Sequence, residues 1–445
     1  MKKYFAALLA AAMMLSTLAG CGSKEEPAPA PEASNPEVSA PVDANNPLYT
    51  KPTEEVSLEV WYAVSGVTGE TFEAQVKEYM AANPNVKIEL SYAGSYSDAA
   101  EKISANLMTG TAPDLALIAA GPLYTGGRND YSIETLIQDP AFAADEIFDG
   151  IWEYAQFSGR TCAIPYGISV PVLYYNKAIM DAAGIDIEAE APQTWDELYA
   201  LAEKAQQNGN INNAPAFYGF EVSDAPWLFK SMLHQAGNNI IDTTSGSIEP
   251  AYNDAAALKV GQFWQKLVQN GLMPAGEHGN AEKTFQAGNC AFIVASSIRL
   301  ARWSANPVVD FGVLPMPGFD EKAVALGGNV LITLPEGKSE AEQAAAWDLV
   351  KFLASEEKHT EFALTTGYLP MYESAMDGED VKAAVAEDPR RGIVYGELEN
   401  AFSYWHFDEM GTMDWILGDM LGSIEAGTDV QTALDKGVND LEREM

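Results

Sequence analysis

Val56-Ser57-Leu58-Glu59-Val60-Trp61-Tyr62 opens the folded part of this chain and sets its architecture. Val56, Leu58 and Val60 alternate with Ser57 and Glu59, the period of a strand with one buried face. Phe72, Val76 and Met80 then recur at helical spacing. Asn83-Pro84 ends that helix, because a residue before proline is pushed out of the helical region. Val86, Ile88 and Leu90 alternate with Lys87 and Glu89 as a second strand. Residues 97–108 read as a helix with Ile103 and Leu107 inward and Gly110 past its end, and the apolar run 114–119 suits a buried strand. Strand–helix–strand–helix–strand predicts an open parallel sheet. Ligands of such sheets sit beyond the carboxyl ends of the strands, here the loops at 62–66, 92–97 and 120–122.

A second unit follows the same logic. A strand is expected over 169–175 and a short helix over 177–183. Thr194 and Glu197 form a capping-box pattern ahead of Leu198 and Leu201. Leu258, Phe263, Leu267 and Val268 mark a helix closed by Asn270-Gly271. Strands are expected over 291–295, 311–314 and 330–334, and a helix over 344–353. Val430, Leu434, Val438 and Leu441 share one face of a C-terminal helix. At 445 residues the chain needs more than one core, since single cores stop growing near roughly 250–300 residues.

Upstream of Val56 the sequence changes character. Lys2 and Lys3 precede an apolar run that ends in Leu18-Ala19-Gly20-Cys21. The run is shorter than the roughly 20 residues of a bilayer span and reads as a signal peptide over 1–20. Its end resembles a bacterial lipobox, which implies cleavage before Cys21, lipid on that sulfur and an extracytoplasmic, membrane-tethered protein. Residues 21–53, rich in Pro, Ala and Glu, read as the tether. Formal net charge is −38, a field that repels polyanions and excludes nucleic acid as a partner. Cys162 and Cys290 show no metal-type pairing; a disulfide is permitted outside the cell, and two separate core thiols are the expectation. The four histidines are scattered, with no HExxH spacing.

No pattern carries catalysis. There is no GxSxG elbow and no GxxxxGK[ST] phosphate loop, and no two carboxylates stand out as the pair a glycosidase needs. Aromatic and glycine punctuation in the expected loops does stand out. Trp61-Tyr62, Tyr92, Tyr96, Trp227, Tyr368, Tyr404 and Trp405 offer ring faces that suit the C–H faces of sugars and polyols. Gly327-Gly328-Asn329, just before an expected strand, suggests a close backbone approach.

The segment 166–177, Tyr-Gly-Ile-Ser-Val-Pro-Val-Leu-Tyr-Tyr-Asn-Lys, resembles the crossover of family 1 extracellular solute-binding proteins, which serve bacterial ABC importers. Ala183-Gly184-Ile185, the PQTWDEL run at 192–198 and the stretch 285–292 continue the likeness, as do Ala295-Ser296-Ser297, Gly327-Gly328 and Thr366-Gly367-Tyr368-Leu369-Pro370. It covers nearly everything from Val56 onward and is nearest to the glycerol-3-phosphate and glycerophosphodiester branch. The resemblance implies an α/β, two-lobe, periplasmic-binding-protein-like type II fold with a ligand cleft between lobes. It places 54–168 and 296–343 in the first lobe and 169–295 and 344–445 in the second. It implies a monomer that uses no cofactor and hands a small solute to a membrane permease. Carried over, the ligand contacts are Tyr62 or its neighbours, Ser97, Trp227, Ser297, Gly328 and Tyr368; Trp61, Tyr96, Ser296, Gly327 and Asn329 stand with them as candidate contacts. Gly121 and Trp405 join them as loop residues. Two departures concern charge. The branch has a phosphate-gripping arginine where this chain has His406, and an acidic residue where it has Ser97, unless Asp98 stands in. A neutral imidazole does not replace a bidentate guanidinium. Arg299 lies near Ser297 in sequence, with a surface position expected for it. The expected cargo is a sugar or oligosaccharide, with glycerol-3-phosphate or a glycerophosphodiester as the alternative and a surface glycosidase as the distant third.

Overall fold

Strand β1 (Val56–Tyr62) buries Val56, Leu58, Val60 and Tyr62 and turns Ser57 and Glu59 away, as the alternation requires. The computed structural model describes residues 45–120, 133–157, 159–276, 278–404, 406–407 and 409–445. The signal peptide, most of the tether, Cys21, Gly121 and Trp405 lie outside the described residues. After β1 come α1 (Val67–Ala82), β2 (Val86–Tyr92), α2 (Tyr96–Thr109) and β3 (Leu115–Ala119). Gly110, left-handed at φ 70°, closes α2. The helix α3 (Asp149–Tyr154) leads into β4 (Ile164–Ser169).

The strand expected over 169–175 is two strands. β4 belongs to the first sheet, whereas β5 (Pro171–Asn176) belongs to the second. Val170 separates them. Its N–H is 3.3 Å from Ser297 Oγ and its carbonyl accepts from Ser297 N at 2.8 Å, while Pro171 has no N–H to continue a ladder. The second sheet is built from β5, β6 (Tyr218–Val222), β7 (Cys290–Ser296) and β8 (Phe311–Leu314), in the order β8-β5-β7-β6. Around it lie α4 (Lys177–Ala183), α5 (Trp195–Asn208), α6 (Ala225–Gln235), α7 (Ala255–Gln269), α8 (Ala281–Gln286) and α9 (Arg299–Ala305). The Thr194–Glu197 capping box opens α5 as read from sequence.

The chain returns to the first sheet with β9 (Gly327–Thr333), giving the order β2-β1-β3-β9-β4. That sheet is not wholly parallel. β9 enters from the side of the second sheet, so its first residues lie level with the carboxyl end of β3, Asn329 opposite Ala119, and it runs antiparallel to β3 and β4. A bulge interrupts β9–β4 pairing at Asn329/Val330 and leaves Tyr166 as the extra residue. The Tyr166 carbonyl is taken instead by His359 Nε2 at 2.6 Å.

Sheet membership also corrects the lobe boundaries. β8 pairs with β5, so the return falls after Leu314 and not at Ser296. The helices α10 (Glu340–Leu353) and α11 (Glu356–Thr366) pack on α1, and α10 also packs on β1, so they cover the first sheet. Short helices α12 (Glu373–Met376), α13 (Glu379–Glu387) and α14 (Arg390–Gly396) follow. Among the C-terminal helices, α15 (Met410–Glu425) and α16 (Val430–Glu444) pack on α7 of the second lobe and α14 packs on β8, Val430, Leu434, Val438 and Leu441 of α16 being buried. Helix periodicity could not have assigned 344–353, because an apolar stripe does not say which sheet it covers. Cys162 and Cys290 are both buried and unpaired.

Candidate ligand site at the seam between the sheets

The carboxyl ends of β3, β6 and β7 and the first residues of β9 meet at a seam between the two sheets, and most of the expected contact residues lie there. Asn329 is its centre. The side chain is fully buried; Oδ1 accepts from Gly167 N at 2.9 Å, and Nδ2 donates to Tyr368 Oη at 3.2 Å and Tyr96 Oη at 3.3 Å. Gly167 is required beside it, since a Cβ there would fall 2.5 Å from Asn329 Nδ2. Gly328 holds φ 131°, and a Cβ would fall 1.8 Å from the Gly167 carbonyl oxygen. These glycines begin β9 itself and are not a turn ahead of it. Tyr154, which the sequence did not single out, donates from Oη to the Gly328 carbonyl at 3.2 Å.

Trp227 comes from the other lobe. It lies in α6 and not in a loop: Asp224 caps the helix by accepting from Trp227 N, and proline sits in the first turn. Asp224-Ala225-Pro226 was the signal for this helix start. Trp227 Nε1 donates to the carbonyls of Ala325 (3.0 Å) and Leu326 (3.3 Å), and its ring lies over Gly327, where a Cβ would be 2.9 Å away. One turn on, Lys230 is 2% exposed, bonded to Asp414 at 2.7 Å and set 4.1 Å above the Tyr404 ring. Burial acts to lower its pKa, but Asp414 and Tyr404 outweigh that and keep the ammonium charged. The sequence separation of 184 between Lys230 and Asp414 leaves no local trace of this contact.

His406 is buried, edge-on to Tyr154 and Tyr404 with ring centroids 5.2 Å from each, and Nδ1 lies 3.2 Å from the Gln156 carbonyl. Burial pushes its pKa down to about 4, so it is neutral near pH 7. Ser297 is buried and committed to Val170, and Ser296 Oγ is buried without a partner among the described residues. Arg299 is not a plain surface residue. It is 22% exposed, its Nε lies 2.7 Å from Glu282 Oε1, and it opens α9 two residues after Ser297. Burial and the neighbouring Tyr96 hold the Tyr368 hydroxyl well above its usual pKa, while the positive charge of Arg299 acts in the opposite sense.

Four expected contacts lie elsewhere or are otherwise occupied. Tyr62 faces α1: its hydroxyl donates to Glu73 at 2.5 Å, and burial followed by that bond raises its pKa to about 12. Trp61 is half-buried and donates to Glu59 at 2.6 Å. Asp98 is spent on the N-terminus of α2, accepting from Ser95 N at 2.9 Å and Ser95 Oγ at 2.8 Å, which lowers its pKa. Ser97, beside it, is exposed. Cavities of about 230 and 370 Å³ flank Asp114 at the opposite end of the first sheet, away from the strand ends that form the seam.

Two α/β sheets that share crossing segments, with hydroxyl, amide and indole groups from both converging where they meet, define a two-lobe binding protein with a cleft between the lobes. The chain belongs to the family of bacterial extracellular solute-binding proteins, whose profile it matches over residues 74–389. Its role is that of the extracytoplasmic solute-binding component of ABC importers. It is 25% identical over 345 residues to the sn-glycerol-3-phosphate-binding periplasmic protein UgpB of Escherichia coli K12, covering 72% of this chain and 75% of that one. The structure of UgpB from Mycobacterium tuberculosis in complex with glycerophosphocholine superposes with a TM-score of 0.74 at 22% identity, over 87% of this chain and 98% of that one. The cyclic alpha-maltosyl-1,6-maltose binding protein from Arthrobacter globiformis gives 0.72 at 24% identity, over 88% and 100%.

Proposed function

We propose that this protein captures an uncharged sugar or oligosaccharide at the seam and binds it without turnover. The observation that carries the reading is the state of the positive groups around the site. His406 is neutral, Lys230 is tied to Asp414 and Arg299 to Glu282. Arg391, behind Ser297, donates to the Leu364 carbonyl and the Tyr395 hydroxyl. A phosphate entering here would meet no uncommitted cation among these groups and would exchange its hydration for neutral donors. A polyol suits what is present: the Tyr96–Asn329–Tyr368 cluster offers hydrogen-bonding groups, and the Trp227 ring offers a face for C–H groups.

Val170 and the run 324–326 are two of the crossings about which the lobes turn. Contacts made from both sides exist only when they approach, and that differential free energy drives closure. A shift from 1:99 to 99:1 in favour of the closed form needs about 5.5 kcal/mol. The protein works at the membrane surface through lipid on Cys21. A Cys21→Ala variant should appear in the culture medium or periplasmic fraction and not in the membrane pellet.

Thermal-shift screening against neutral mono- and oligosaccharides, glycerol 3-phosphate and glycerophosphocholine tests the ligand reading, because any ligand of the folded state raises its melting temperature by mass action. Stabilisation by a neutral saccharide, recovered intact afterwards, is expected. Stabilisation by the phosphate compounds alone overturns it. The second reading, a glycerol-phosphate cargo, is favoured by the likeness to the two UgpB proteins named above.

A further inference from the structure

The ion pair of Arg299 with Glu282 does more than hold α9 to α8. Helix α9 lies against the turn at Gly367 so closely that a Cβ on Gly367 would come within 2.8 Å of the Ala301 Cβ and 3.2 Å of the Ile298 carbonyl oxygen. That contact sets the start of α9 against the residue before Tyr368, whose hydroxyl lies within reach of the Arg299 charge and bonds to Asn329 at the centre of the seam. Glu282 engages only Nε of the guanidinium; both Nη nitrogens are left without a protein acceptor among the described residues. The two side chains are 22% and 26% exposed, withdrawn from water far enough for their charges to matter and open enough to be reached.

We propose that Glu282 sets the charge class of the cargo: by holding Arg299 it cancels the positive charge that borders Tyr368, leaving a net-neutral pair. The reasoning rests on the reading above that the cargo is uncharged. A hydroxyl can still accept from Nη, and the carboxylate stiffens the guanidinium that offers it. An anion gains less than it would from a lone guanidinium, because repulsion from the Glu282 carboxylate, 2.7 Å from Nε, offsets part of the attraction to Arg299. Removing the acid would leave a free guanidinium of the kind that grips phosphate in a fork.

The test is calorimetric titration of the mature protein with glycerol 3-phosphate, at low and at physiological salt. Wild type should bind it weakly. Glu282→Gln should bind it at least about tenfold more tightly, because an uncancelled charge a few ångström from an anion exceeds one decade of affinity at an effective dielectric near 20. The gain should shrink with salt and vanish in the double variant Glu282→Gln/Arg299→Gln. Glu282→Ala gives the same readout should the glutamine variant fold poorly. Tight binding by wild type refutes the uncharged-cargo reading itself. Weak binding by wild type with no gain in either Glu282 variant refutes the role of Glu282, as does a gain that survives loss of Arg299.

Discussion

Asn329→Ala tests the organisation of the seam most sharply, since the side chain serves three partners at once. Its Oδ1 is the acceptor of Gly167 N–H, in a stretch where the bulge has disrupted the regular ladder between β9 and β4. Alanine leaves that buried donor without a partner, at a cost of about 1–3 kcal/mol. The two bonds from Nδ2, at 3.2 and 3.3 Å, are long and neutral and contribute about 0.5–1 kcal/mol each. The sum is about 3 kcal/mol, before any water fills the gap. Tyr96 and Tyr368 also lose the group that holds their hydroxyls together, so cargo affinity should fall with stability. Urea unfolding followed by circular dichroism reads the first effect and calorimetric titration the second. An Asn329→Ala protein within about 0.5 kcal/mol of wild type would refute the claim that this amide organises the site, because surface changes commonly fall in that range.

Two further predictions follow from geometry and titration. Gly328→Ala should cost at least about 2 kcal/mol, because φ 131° and a carbonyl oxygen 1.8 Å from the new Cβ force β9 to shift, whereas Gly422→Ala, helical with no atom within 4 Å of the new Cβ, should be neutral or stabilising; equal melting temperatures for the two variants would contradict this. Burial pushes the buried imidazoles of His359 and His406 down to about 4, below an unfolded value near 6.5, so above pH 6.5 neither contributes, and as pH falls below 6.5 the unfolded chain takes up protons that the folded chain refuses. Stability should therefore drop between pH 6.5 and 5 by up to about 1.4 kcal/mol per pH unit for each imidazole, and His406→Asn should remove about one proton's share of that slope; a urea midpoint unchanged between pH 7 and 5 would be the contrary result.

The strand–helix alternation from Val56 to Ala119 was legible because each element there carries its own period and its own stop. Gly110 and Asn83 end their helices where the sequence says they should. What the periods did not carry was sheet membership. The break at Val170 depends on Ser297, 127 residues away, and the assignment of β8 to the second sheet depends on its pairing with β5. At the site, Tyr96, Trp227 and Tyr368 were legible as ring types suited to a polyol and Gly328-Asn329 as a close backbone approach, and the structure brings them together. Local partners, Glu73 and Ser95, claim the polar atoms of Tyr62 and Asp98, contacts that residue type alone does not announce. Lys230–Asp414 and Tyr154 were missed because long-range contacts of this kind leave no spacing in the chain.

The claim on which the account rests is that cargo is gripped from both lobes at once. Spin labels on Met108→Cys in α2 and Val308→Cys ahead of β8 would report it, since both positions are strongly exposed and the native Cys162 and Cys290 are buried. Electron–electron resonance distances should shorten and narrow when a stabilising saccharide saturates the protein. A distance distribution that stays unchanged under saturating cargo would contradict the account.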